Sequence, residues 1–173
     1  MTRVDELIGD LDVAIETLRK AATPREKRMG VAAVLDHLYK LRCLREGEPG
    51  PDRDSYNLRV GAQRAGKVAE GISLLRGEMT HDVTMEIVPT DQLLYPSENL
   101  FPSENIYPGK QLIWLYLSDM VDQLDPGGPP TPELTPPKDP RRGYYAKYVA
   151  GQSVLQTAVE ARNFLAADPG PPT

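Results

Sequence analysis

The chain has 173 residues, 40% of them hydrophobic, with a single cysteine and a formal net charge of −5. That length fits one domain around one core, a lone cysteine makes no internal disulfide, and the acidic balance argues against strong nonspecific DNA binding, which needs many Lys and Arg contacts to phosphates. No run reaches the roughly 20 apolar residues of a bilayer span and the first residues lack the apolar core of a signal peptide, so a cytoplasmic location with no membrane partner is expected.

Charge is unevenly placed. Residues 1–80 carry 14 Lys/Arg against 13 Asp/Glu, whereas residues 81–173 carry 6 against 12, so a polyanion such as RNA is expected to meet the N-terminal half.

Taken in chain order, Val4, Leu7, Ile8, Leu11, Ala14, Ile15 and Leu18 recur at three and four residues and predict a first helix from about Val4 to Ala22. Thr23-Pro24-Arg25-Glu26 supplies an N-cap hydroxyl, a proline at the first helical position and a glutamate three residues on, a capping box that starts a second helix. That helix carries Val31, Val34, Leu35, Leu38, Leu41 and Leu44 and should stop before Gly47. Cys43 is expected on its face near the core, as a small buried hydrophobe.

A third helix is expected from roughly Tyr56 to Met79, with Ala65, Val68, Ala69, Ile72, Leu75 and Met79 on one face and Gly61, Gly66 and Gly71 permitting close packing. Val83, Met85 and Ile87 then alternate with polar residues, predicting a short extended segment that ends at Pro89.

Residues 94–109 repeat a short unit, Leu94-Tyr95-Pro96, Leu100-Phe101-Pro102 and Ile106-Tyr107-Pro108. Proline every sixth residue forbids a helix, so the segment reads as extended or turning, pinned by Tyr95, Phe101 and Tyr107, either as an ordered loop or as a partner-binding arm. A fourth helix is predicted from about Lys110 to Leu124, with Trp114 and Tyr116 off its apolar stripe and available to a partner.

Seven prolines between Asp125 and Pro140 make a stiff linker. Beyond it come a short helix near Arg141 to Ala150, a break at Gly151, and a helix capped by Ser153 with Gln156 three residues on, which Val154, Leu155, Ala158, Val159 and Leu165 should pack back onto the bundle. The whole reads as a mainly α protein, a bundle of four to five helices with one short extended segment and Pro-rich loops. Residues 1–125 form the bundle, with the Pro/aromatic loop over 89–109; 126–140 is the linker, 141–167 the C-terminal helical unit and 168–173 a tail.

One constellation could carry chemistry. Arg76 and His81 are separated by four residues near the end of a helix, in Arg76-Gly77-Glu78-Met79-Thr80-His81. This resembles the HEPN ribonuclease motif, an arginine, four to six intervening residues and a histidine on a small helical bundle, and the resemblance covers about residues 4–125. It implies metal-independent RNA binding or cleavage with no cofactor, by two protomers that pair their sites, in a toxin or defence setting. His81 would be the acid or base for attack of a 2′-hydroxyl on the adjacent phosphate and Arg76 would stabilise the anionic transition state. Glu78, Tyr95, Phe101 and Tyr107 are the accompanying candidate binding residues.

At about 100° per residue Arg76 falls some 40° from Ile72, on the apolar face, where a charge needs a partner or a task. The plainer alternative pairs Arg76 with an internal acid, Glu70 or Glu78, and makes His81 a helix C-cap. His37, His81-Asp82 and Asp119 or Asp122 superficially resemble the scattered ligands of HD-domain phosphohydrolases. No phosphate-cradling glycine loop, zinc spacing or Gly-x-Ser-x-Gly element occurs.

The rival class is a noncatalytic interaction or assembly protein, with a homo-oligomer or protein partner on the proline-rich segments. An excess of arginine over lysine with abundant proline and glycine resembles the usage of high-GC actinobacteria and their phages.

Overall fold

A computed structural model describes residues 2–47, 51–78, 87–88, 111–114 and 139–167. Among these the chain is mainly α, with helices α1 (Arg3–Lys20), α2 (Pro24–Glu46), α3 (Pro51–Ala62), α4 (Arg64–Glu78), α5 (Pro140–Tyr148) and α6 (Val154–Ala166), and two-residue strands β1 (Ile87–Val88) and β2 (Gln111–Leu112). None of the described helices is long and apolar enough to cross a membrane.

Both N-terminal helices start on capping boxes. Thr2 and Asp5 cap α1, and Thr23 and Glu26 cap α2 with Pro24 in its first turn. The second box also explains why α1 stops short of Ala22. The Glu26 carboxylate accepts from the amides of Ala22 and Thr23, both at 2.9 Å, and Pro24 holds Thr23 extended, so the last two alanines turn the chain instead of prolonging the helix. The resulting hairpin closes on Gly30, where an added Cβ would lie 3.0 Å from Leu18 Cδ1. At its far end α2 terminates on Gly47, whose φ of 66° suits a residue without a Cβ.

Cys43 corrects the sequence expectation, for it is exposed, as is its neighbour Leu44. The core stripe of α2 runs through Val31, Val34, Leu35, Leu38 and Leu41, and two further residues of rotation carry Cys43 about 200° past Leu41.

The expected third helix is two. It begins at Pro51, earlier than Tyr56, with proline in the first turn and Asp52 and Asp54 placed to offset the helix dipole. It breaks at Gln63, where the chain folds so tightly that a Cβ on Gly66 would stand 2.7 Å from Val60 Cα and 2.9 Å from Phe164 Cζ. Val60, Tyr56 and Phe164 are buried by that fold. Periodicity alone runs through the kink because residues on both sides of it face one core.

Gly71 makes the corresponding approach between α4 and α5. Its missing Cβ would meet the backbone nitrogen of Tyr145 at 2.9 Å and Val149 Cγ2 at 3.0 Å. Gly71→Ala is therefore expected to destabilise by about 1–3 kcal/mol despite alanine's better helix propensity, seen as a lower denaturant midpoint. An unchanged midpoint would mean that α4 and α5 can separate at no cost.

Asp139 caps α5, accepting from the amide of Arg141, with Pro140 in the first turn. Gly151, at φ 73°, ends the α5–α6 turn, and Ser153 caps α6 through the amide of Gln156. The expected packing of this unit is observed: Val154, Ala158 and Leu165 are buried, with Leu155 and Val159 partly so. Arginines from elsewhere close α6, which has no basic residue in its last turn. Arg45 donates to the carbonyls of Leu165 and Ala166, and Arg59 to that of Phe164.

Residues 111–114, expected to open a fourth helix, are extended. β2 pairs antiparallel with β1, Ile87 opposite Leu112 and Val88 opposite Gln111, so part of the predicted extended segment is observed. Ile113 bridges to Ser153. Trp114 donates its amide to the Gln152 carbonyl and accepts from the amide of Gly151. Its ring is fully buried, and Nε1 donates to Thr157 Oγ1 at 2.7 Å. Trp114 thus serves the core and is not available to a partner. Residues 83–86, the rest of the predicted fourth helix and the linker before Asp139 lie outside the described residues.

Candidate functional site

The apolar residues of α4, Val68, Ala69, Ile72 and Leu75, fix its rotation against the core and place Arg76 in the last described turn, beside α2. Its side chain is 42% exposed. Nε and Nη2 donate to Asp36 Oδ1 at 3.3 and 3.1 Å, and the guanidinium carbon lies 5.7 Å from the centroid of the Tyr39 ring. Lys40, one turn along α2, pairs with the other oxygen of Asp36.

The partner of Arg76 is therefore neither acid anticipated from sequence. Glu70 is buried in a different cluster, and six residues along α4 turn it about 240° from Arg76. Glu78 closes α4, with its side chain outside the described residues, as are His81, Tyr95, Phe101 and Tyr107. The structure thus places one member of the predicted pair and adds Asp36, Tyr39 and Lys40. Asp36 and Lys40 were readable as a helical i, i+4 pair, but their meeting with Arg76 is tertiary and left no mark in spacing.

Among the described residues, two cations around one carboxylate leave this cluster with one surplus positive charge. The hydrogen bond from Lys40 holds the Asp36 carboxyl below its usual range, against the opposing effect of burial, and that from Arg76 adds to it. Arg76 is thereby oriented and remains permanently charged. The group can receive an anionic oxygen, and Tyr39, at the surface, offers an aromatic ring beside it. The chemistry open to such a group is the binding of an anion and the electrostatic stabilisation of negative charge.

The second cluster lies inside the bundle. Glu70 accepts from Arg42 Nε at 2.9 Å and Nη2 at 3.1 Å, and from the Tyr56 hydroxyl at 2.6 Å. Arg42 also pairs with Glu46 at 2.7 Å, which in turn is met by Arg53. Burial pushes the Tyr56 phenol up and the Glu70 charge adds to the rise. For Arg42, burial acts to lower the value, but the hydrogen bond and charge of Glu70, with Glu46, more than offset it and raise the guanidinium above its ordinary range. Every charge here has a partner, and the cluster ties α2, α3 and α4 together.

His37 lies elsewhere, lining an open groove of about 540 Å³ between α1 and α2 together with Val13, Ala14, Met29 and Ala33. Its Nδ1 is buried without a hydrogen-bond partner among the described residues. Among those residues no group of three or more His, Cys, Asp or Glu is placed to hold a metal ion, and the other positions of the HD-like reading, His81, Asp82, Asp119 and Asp122, fall outside them.

The chain matches no family model, no curated protein and no solved structure.

Proposed function

We propose that this is a HEPN-like protein that binds RNA and cleaves it without a metal ion, with Arg76 stabilising the anionic transition state and His81 moving the proton. The observation that supports the reading is the setting of Arg76. A half-exposed guanidinium in the final turn of a helix, oriented by Asp36 and flanked by Lys40 and the ring of Tyr39, suits a phosphate with a base beside it. Cleavage by 2′-hydroxyl attack requires of the protein only a proton carrier and a fixed positive charge near the phosphate. The family resemblance further implies that two copies pair their sites, in the cytoplasm, with no cofactor.

The test is incubation of a mixed RNA pool with the purified chain in the presence of a chelator. Wild type is expected to cleave, Arg76→Ala to fall by about 10²–10³-fold, and His81→Ala to be similarly impaired. Asp36→Asn keeps the guanidinium but loosens its orientation, so a smaller loss is expected from it. Intact RNA with the wild type, or undiminished cleavage by Arg76→Ala, would overturn the reading.

A further inference from the structure

A second cationic group lies at the other end of α4. Arg64 opens that helix, Lys67 is one turn on, and Lys147 and Tyr148 close α5. All three cations converge on one ring. The Arg64 guanidinium is 6.0 Å from the Tyr148 centroid, the Lys67 ammonium 5.9 Å and the Lys147 ammonium 5.4 Å. No two of the charged centres are therefore more than twice 6.0 Å apart.

Like charges held that close repel, and the electron-rich faces of the ring only partly offset this. Among the described residues one carboxylate pairs with the group: Glu160 of α6 meets Arg64 at 3.1 Å. Among the described residues neither Lys67 nor Lys147 has a carboxylate within ion-pair distance. Three cations against one anion leave a surplus of two positive charges, in a chain whose net charge is −5. The group is accessible, since the Arg64 side chain is 56% exposed and Lys147 is exposed. Tyr148 itself is partly buried against the core, so the ring is a fixed platform and the cations are gathered on it before any ligand arrives.

We infer that this α4–α5 surface binds the phosphodiester backbone of RNA, Lys67 and Lys147 each touching a phosphate and Tyr148 acting as the positioning residue that holds them together. The surface is separate from the Arg76 cluster: along α4, Lys67 is nine residues, or about 14 Å, from Arg76, and Arg64 lies farther still. It supplies grip and register for a strand whose cleavage occurs elsewhere. The partner's identity as RNA rests on the function proposed above; the charge surplus does not.

The experiment measures binding of a 2′-O-methylated single-stranded oligoribonucleotide, which cannot be cut by 2′-hydroxyl attack, to the full chain across a salt series. For Lys67→Gln/Lys147→Gln the slope of log affinity against log salt should shrink by about 1.4, or about 0.7 for each phosphate that the variant no longer neutralises. Tyr148→Leu should weaken binding in the same direction, and Tyr148→Phe, which keeps the ring, should match wild type. Circular dichroism melts establish that each variant remains folded. An unchanged slope in the double lysine variant, or no binding by wild type, overturns the inference, while RNA cleavage by the wild type would still stand for the Arg76 site. Patch-dependent binding together with undiminished cleavage by Arg76→Ala would do the reverse. Equal binding of polyglutamate with the same dependence on Lys67 and Lys147 would overturn RNA as the partner in favour of an acidic protein.

Discussion

Glu70→Ala is expected to destabilise the fold by about 3–5 kcal/mol, a fall in melting temperature of roughly 6–20 °C for a chain of this size. Glu70 is 6% exposed and accepts three hydrogen bonds, two from Arg42 and one from Tyr56. Removing it strands the Tyr56 hydroxyl and two donors of the guanidinium, Nε and Nη2, while Nη1 keeps Glu46, and the cost is dominated by those stranded donors more than by the missing attraction. A combined Arg42→Met/Tyr56→Phe/Glu70→Leu variant removes all three polar partners and should recover most of the stability, because Glu46 keeps Arg53. Calorimetry of the two variants decides the matter: equal destabilisation would show that the ion pair itself, and not its burial, stabilises the bundle.

Trp114→Ala should cost about 3–5 kcal/mol as well, by a different mechanism. The ring is fully buried and is the largest side chain in the core; truncation opens a cavity beside Thr157 of α6 and the Gly151–Gln152 turn that the packed neighbours cannot fill without moving their backbones. Trp114→Phe should cost less, since Thr157 keeps acceptors for its hydroxyl in the carbonyls of Ser153 and Val154. Because the chain has one tryptophan, its fluorescence in the wild type reports this site alone. A blue-shifted native emission that moves red at the global unfolding midpoint is expected, and a red-shifted native spectrum would contradict the burial.

Local signals were the legible part of the fold. The Thr23 capping box, the stop at Gly47, the break at Gly151 and the Ser153 cap are decided within a few residues, so spacing shows them. The division of the third helix was hidden because the kink at Gln63 keeps Val60 and Val68 facing the same core, so the apolar stripe carries straight through. Cys43 and Trp114 escaped for the opposite reason: assigning a face needs the rotation of the helix, and for Trp114 the helix itself was the wrong element. Its extended backbone is fixed by bonds to Gln152 and Gly151, residues that nothing in the local pattern connects to it. At the candidate site, Arg76 was found from a motif, whereas Asp36 and Tyr39 become its neighbours only through the packing of α2 on α4.

The arginines that close α6 have a consequence for how the chain comes to be folded. Arg45 and Arg59 reach carbonyls more than a hundred positions downstream, and Phe164 fills the kink beside Gly66. During synthesis the first four helices therefore emerge with that socket empty and its arginines waiting, an apolar notch open to water until residues 154–166 leave the ribosome. Pairing so distant in sequence slows folding, and a nascent chain halted before that point would expose the notch to chaperones or to other chains.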